Sequence, residues 1–343
     1  MNPVQRLAGQ AQHWRPSDTR VPQSGEDGQD GKTAGSWQPG AGLSAGSIIY
    51  SVVIPAYNAE RFIRQALDSV AKQTFTGYEI VVVDDGSTDG TAREIEAWAE
   101  ANPAITLLLV RQSNGGIGAA RNVGVRAARG QYVAFLDADD VWAERKLEIM
   151  VLHAQQLQAA ELLCHDEWLV EDGRRRGLRH GPYTTYRQLL FKGNSLSTSA
   201  TVVTRAAVLN VGGFSEDPRF NGVEDYELWL RLAQSGCRIA YRHEPLGTYS
   251  VGSHGVTSRL EEHYAHCLNV LQAHFESWRP QNAYYRYLMR KRRATVLRGA
   301  GRAFLHLGRH REAFPWFVKS LGEDPFSWKA WALTMLNLLH ITV

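Results

Sequence analysis

The chain has 343 residues, 44% of them hydrophobic and 21% charged, an ordinary globular balance with room for one large domain or two smaller ones. A net charge of +3 gives no global reason to expect a nucleic-acid partner, and none is expected. The three cysteines, Cys164, Cys237 and Cys267, are far apart and form no CxxC pair, which argues against a disulfide framework or a zinc site.

Residues 1 to 46 are rich in Gly, Gln, Ser and Pro without periodicity, and predict a disordered tail. IIYSVVIPAYN follows, a β-branched run stopped by proline. The segment AERFIRQALDSVAKQ carries apolar residues at 62, 63, 66, 67 and 70, a helical stripe. YEIVVVDDGSTDG reads as a second strand ending in acids, and TAREIEAWAEANP as a helix capped by Thr91. ITLLLVRQSNGG is a third strand, IGAARNVGVRAARG a helix closed by Gly130, and QYVAFLDADD a fourth strand. This alternation predicts an α/β fold, a mostly parallel twisted sheet flanked by helices, with ligands at the carboxyl ends of the strands. Those ends read PAYN, DDGSTD, RQSNGG and DADD. Residues 150 to 250 mix helices, loops and short strands, and the chain is mainly helical beyond 255.

In FLDADD an apolar strand ends in three carboxylates within four positions, Asp137, Asp139 and Asp140. Such crowding is tolerable where a divalent cation offsets the charge, and carboxylate ligands suit Mg²⁺ or Mn²⁺. Asp84 and Asp85 end another strand of the same rim, where a carboxylate can accept the N–H of a nucleobase; an Asx turn is the plain alternative. Glu224 and Asp225 open a helix with apolar positions 228, 229, 230 and 232. Acids there complement the helix dipole, and one held in place can also serve as a general base.

Taken together, IIYSVVIPAYNAERFIRQALDSVAKQTF, EIVVVDDGSTDGT, NGGIGAARNVGVRAARGQYVAFLDADDVW and GVEDYELWLRL resemble glycosyltransferase family 2, over about residues 48 to 255. The resemblance implies the GT-A fold and an inverting transfer from a nucleotide sugar, UDP-linked by expectation, to a saccharide or lipid-linked acceptor in cell-surface polysaccharide synthesis. It implies that Pro55 and Tyr57 lie at the base. Asp85 would bond the ring edge with Asp84 supporting it, and Arg121 would approach the donor phosphates or ribose. Asp137 and Asp139 would form the Asp-x-Asp pair, Asp139 as direct metal ligand and Asp137 on ribose or metal, with His254 near the diphosphate as a third metal-side residue. Asp225 would be the catalytic base. The expected cofactor is a divalent cation, Mn or Mg. Asn194 to Thr204, His165 and Asp166 are expected beside the acceptor.

Two rivals exist. A nucleotide-sugar-binding module without catalysis would keep the same residues. A dinucleotide oxidoreductase would use Gly116 and Gly118 after ITLLLV, but four residues separate strand from glycines, and Arg121 stands where the third glycine belongs.

The implied domains are 1–46 (disordered tail), 47–255 (GT-A domain) and 256–343 (all-α C-terminal extension). Within the last, LRGAGRAFLHLGRHREAFPWFVKSLGEDP resembles a single tetratricopeptide-like hairpin, with Gly308 at its turn and Ala313, Phe317 and Pro325 in place; one such unit cannot form a solenoid. Positions 286 to 311 hold nine Arg and Lys and no acid, flanked by Tyr284, Tyr285 and Tyr287. That pattern suits an anionic membrane surface as well as a solvated helix face. No secretory signal is visible at MNPVQRLAGQ, and no apolar run reaches the roughly 18 residues of a spanning helix. A cytoplasmic protein is expected, with peripheral contact at the inner face of the cytoplasmic membrane.

Overall fold

The structure is a computed structural model, and it describes residues 49–157, 160–171, 173–250, 260–278 and 282–342. The expected tail, 1–46, and His254 lie outside the described residues.

The first half alternates as its sequence pattern requires. Strand β1 (Tyr50–Ala56) is buried along its whole length, and helix α1 (Ile63–Ala71) covers it through Ile63, Ala66, Leu67 and Val70. Phe62, counted into that stripe, instead precedes the helix and is 45% exposed. Strand β2 (Tyr78–Asp84), helix α2 (Thr91–Ala101), strand β3 (Leu107–Arg111), helix α3 (Ile117–Ala127) and strand β4 (Tyr132–Phe135) follow. The order β3-β2-β1-β4 is parallel throughout, so the carboxyl ends of four strands meet on one rim.

Beyond β4 the sheet becomes mixed. The DADD turn leads into β5 (Val141–Trp142) and α4 (Lys146–Leu157). Then come β6 (Leu162–Glu171), β7 (Arg174–Leu178), α5 (Tyr186–Lys192), β8 (Thr201–Thr204), α6 (Arg205–Asn210), α7 (Glu224–Gln234) and β9 (Ile239–Ser250). Strand β8 runs antiparallel to both β4 and β6, while β9 lies parallel to β6 and antiparallel to β5. His165 and Asp166, expected after a strand, lie inside β6, where the β6–β9 register shifts on both sides of Asp166. Such an irregularity changes which face a side chain reaches.

Two expected helix ends differ. Thr91 is the first residue of α2 rather than its cap; its hydroxyl donates to Asp89 and accepts the Ala59 N–H at 2.7 Å. Gly130 does not close α3, which ends at Ala127. A Cβ at Gly130 would stand 2.6 Å from the Ser51 nitrogen, so glycine is needed there for close approach to β1.

Four helices complete the described chain: α8 (Leu260–Trp278), α9 (Ala283–His306), α10 (His310–Glu323) and α11 (Trp328–Leu338). Gly308, at φ +70°, forms the turn between α9 and α10. Ala313 and Phe317 are fully buried, Phe317 against Gly301, where a Cβ would meet its ring at 2.6 Å. One large apolar core continues from the sheet through Phe135, Phe214 and Trp229 into Leu271, Phe304 and Phe317. Among the described residues no helix is long and apolar enough to cross a membrane.

Candidate active site

The rim is stitched together before any ligand arrives. Asn58, just past β1, donates its N–H to Ser87 Oγ (3.0 Å) and accepts the Thr88 N–H on Oδ1 (2.9 Å). Asp84 Oδ1 accepts the Ser87 N–H at 3.0 Å, a local turn that supports its neighbour. Gly86 adopts φ +75°, and a Cβ there would lie 2.8 Å from the Asn114 nitrogen. Pro55 is buried in β1, and Tyr57 is 52% exposed beyond it.

Asp85 is nearly buried and heavily used. Its Oδ1 accepts from Gln112 Nε2 (2.7 Å) and the Gly115 N–H (2.8 Å), and its Oδ2 accepts the Gly116 N–H (2.9 Å). Its first task is therefore to pin the loop from 112 to 116, which the sequence pattern did not reveal.

Arg121 departs from expectation more sharply. Instead of offering an open guanidinium to phosphate, it is 3% exposed, and its two Nη atoms are spent on carboxylates. Nη2 donates to Asp137 Oδ1 and Nη1 to Glu224 Oε1, each at 2.7 Å. Burial works against its charge, but Asp137 and Glu224 more than offset that, and its pKa is raised. Asn122, one position on, clamps the 214–216 loop: Oδ1 accepts the Phe214 N–H (2.7 Å), and Nδ2 donates to Phe214 O and Glu216 Oε1.

Asp137 is anchored through its own N–H, which donates to Ser199 Oγ at 3.0 Å. At its neighbour Asp139, desolvation by the surrounding protein, with the Asp137 charge, pushes the carboxyl up to about 6. No group of three His, Cys, Asp or Glu converges on a common point among the described residues. Mn²⁺ or Mg²⁺ commonly binds through one or two carboxylates and completes its shell with water and substrate phosphate, so the Asp137–Asp139 donor set fits such an ion.

A cavity of about 440 Å³ joins these elements to the C-terminal helices. Asp137, Arg121, Glu224 and Asp225 line one side, Asn194 to Thr198 another, and His263, Cys267 and Arg292 from α8 and α9 close it. Pro55, Tyr57, Asp84, Asp85 and Asp139 are not among its lining residues. Asp225 sits in the first turn of α7, with Asn194 Nδ2 and Thr198 Oγ1 each 3.4 Å from its Oδ2. Burial pushes its carboxyl up to about 6; Glu224 adds to this and Arg121 pulls the other way. Instead of His165, which is fully buried, and Asp166, which accepts the His180 N–H at 2.8 Å, the neighbouring Glu167 lines the cavity, together with His180. The register shift in β6 decides that, and strand alternation alone cannot reveal it.

The profile of Glycosyl transferase family 2 matches residues 51–211. The Escherichia coli UDP-Glc:alpha-D-GlcNAc-diphosphoundecaprenol beta-1,3-glucosyltransferase WfgD is 32% identical over 185 residues, 54% of this chain and 69% of WfgD. The chain belongs to glycosyl transferase family 2. The match to some relatives is partial, and the chain spans 33% of the Bacillus subtilis glycosyltransferase EpsJ, at 36% identity over 34% of this chain. The mixed sheet of this glycosyltransferase matches GT-A structures. Staphylococcus aureus TarS 1–349, solved with UDP-GlcNAc, aligns at TM-score 0.55 and 18% identity over 85% of this chain and 92% of that one. The Pyrobaculum calidifontis mannosyltransferase PcManGT, solved with GDP-Man and Mn²⁺, aligns at 0.56 and 20% identity over 85% and 84%.

Proposed function

We propose that this glycosyltransferase moves a sugar, with inversion, from a nucleoside-diphosphate sugar to a hydroxyl of a saccharide or lipid-linked acceptor in cell-surface polysaccharide synthesis. The observation that carries this is Asp225, a cavity carboxylate raised to about 6 and linked through Glu224 and Arg121 to Asp137. An acceptor hydroxyl is a poor nucleophile, and Asp225 takes its proton as the oxygen attacks the anomeric carbon. The nucleoside diphosphate leaves from the opposite face in one displacement, so no enzymic nucleophile is needed. Arg121 holds Asp137 and Glu224 in place across this step. Asp137 and Asp139 would hold the divalent cation, Mn or Mg, which supplies positive charge for the departing diphosphate.

The ligands of the structural neighbours, UDP-GlcNAc in one and GDP-Man with Mn²⁺ in the other, support a nucleotide-sugar donor. Uracil is the base proposed first, in a UDP-sugar, with Asp85, Asp84, Pro55 and Tyr57 around it. The acceptor in WfgD's name, a diphosphoundecaprenol-linked sugar, supports a lipid-linked acceptor here. A panel of nucleotide sugars, scored by donor hydrolysis and by thermal shift with Mn²⁺, tests the reading; no stabilisation and no hydrolysis by any donor would sink it.

The domain limits 47–255 and 256–343 belong to the same proposal, supported by the sheet ending at Ser250 and α8 opening at Leu260. So does the tetratricopeptide-like reading of the α9–α10 hairpin. Peripheral contact of a cytoplasmic enzyme with an anionic membrane is supported by exposed aromatic residues on both α9 and α11. Tyr285 is half-buried and stacks on Phe191, while Tyr284 and Tyr287 of α9 stand exposed, as do Trp328, Trp331 and Met335 of α11 beside Lys329. Flotation with phosphatidylglycerol vesicles tests this, and flotation unaltered by Trp331→Ser would point away from α11.

A further inference from the structure

Glu167 and His180 share the cavity with Asp225 and are not used by the chemistry above. They come from β6 and from the loop after β7, and His180 Nε2 lies 2.8 Å from Glu167 Oε2. Both are fixed. Glu167 is 1% exposed, and the His180 backbone N–H donates to Asp166 Oδ1.

The second oxygen is the informative one. Glu167 Oε1 is buried and has no hydrogen-bond partner. A carboxylate oxygen withdrawn from water without a partner carries its full desolvation cost. The neighbouring buried cation, Lys146, attracts the Glu167 charge but gives Oε1 no hydrogen bond: its Nζ donates to Ser199 O at 2.8 Å and sits 3.3 Å from the centre of the Trp142 ring. A pair serving only to join β6 to the following loop needs one oxygen, and the other is left as a buried acceptor without a partner on a residue that lines the cavity.

We infer that Glu167, held by His180, accepts a hydrogen bond from a hydroxyl of the acceptor sugar and so selects that sugar. The inference rests on the glycosyltransferase reading and deepens it. Asp225 must touch the attacking hydroxyl, so the cavity that contains Asp225 receives the acceptor. The nucleotide-side residues Tyr57, Asp84 and Asp85 lie outside its lining. A site built to bond a hydroxyl rejects an analogue lacking it, because its own buried group is then left unpaired.

The test uses methyl α-glucoside, methyl α-galactoside and methyl α-N-acetylglucosaminide, with their monodeoxy analogues, observed by saturation-transfer NMR on the full chain with UDP. Wild type is expected to bind at least one glycoside and to lose it when one particular hydroxyl is removed. Glu167→Gln turns the open acceptor into a donor and should weaken that glycoside by roughly tenfold or more, with UDP affinity unchanged and the deoxy analogue no longer distinguished. Should Glu167→Gln fail to bind UDP, Glu167→Asp, which withdraws the same charge by one methylene, decides the matter by the same readout. Equal glycoside binding in wild type and variant overturns the subsite, as does a wild type that binds UDP and no glycoside. A wild type that binds neither UDP nor GDP overturns the nucleotide-sugar reading underneath, and the subsite with it.

Discussion

Arg121 and Glu224, 103 positions apart in sequence, meet at 2.7 Å with 3% and 7% of their side chains exposed. The other Nη of Arg121 reaches Asp137, so one guanidinium joins the proposed metal acids to the helix turn that carries Asp225. Removing one partner of a buried ion pair strands the other charge. Arg121→Met should therefore cost about 3–5 kcal/mol in urea unfolding. Arg121→Lys should recover only part of this, since an ammonium cannot present the same planar fork to two carboxylates. Stability within error of wild type in Arg121→Met would remove the strut.

Asp225→Asn should retain donor binding and lose turnover by roughly 10²- to 10⁴-fold. The ionised form is the working base, and its pKa is raised to about 6. Going down in pH, kcat/KM of the wild type should be flat to about 6 and then fall by about tenfold per unit as the carboxyl takes up a proton. A profile flat down to pH 4.5 would assign the base elsewhere.

Asp139→Ala should abolish the response to Mn²⁺. In wild type, chelation by EDTA should suppress donor hydrolysis and added Mn²⁺ restore it, while the variant stays low throughout. A variant whose manganese titration overlays that of wild type would take Asp139 out of the proposed ion site.

Gly130→Ala should destabilise the chain by about 1–3 kcal/mol, because the new methyl would meet the backbone of Tyr50 and Ser51, which cannot move without disturbing β1. Urea midpoints decide this. A neutral result would show that β1 gives way at little cost.

Much of this molecule could be read in one dimension. The runs SVVIP, EIVVV and YVAF are apolar and β-branched or aromatic, a pattern that strands buried on both faces require, and the helical stripes between them set the alternation. The acids at strand ends needed no folding to be noticed, since charge crowded beside an apolar run is local information. Partners were another matter. Nothing near Arg121 in sequence says that its charge is spent on Glu224, nor does anything near Asp85 say that it holds the Gly115 and Gly116 amides. Glu167 faces the cavity because β6 shifts register against β9, and Gly130 is required because the turn between α3 and β4 passes against the backbone of β1. Local pattern thus determined the elements and the rim of acids, for propensity and charge act over a few residues. The tertiary structure alone decided which buried charges neutralise each other and which oxygen is left open, because burial and pairing arise only when distant segments close on one another.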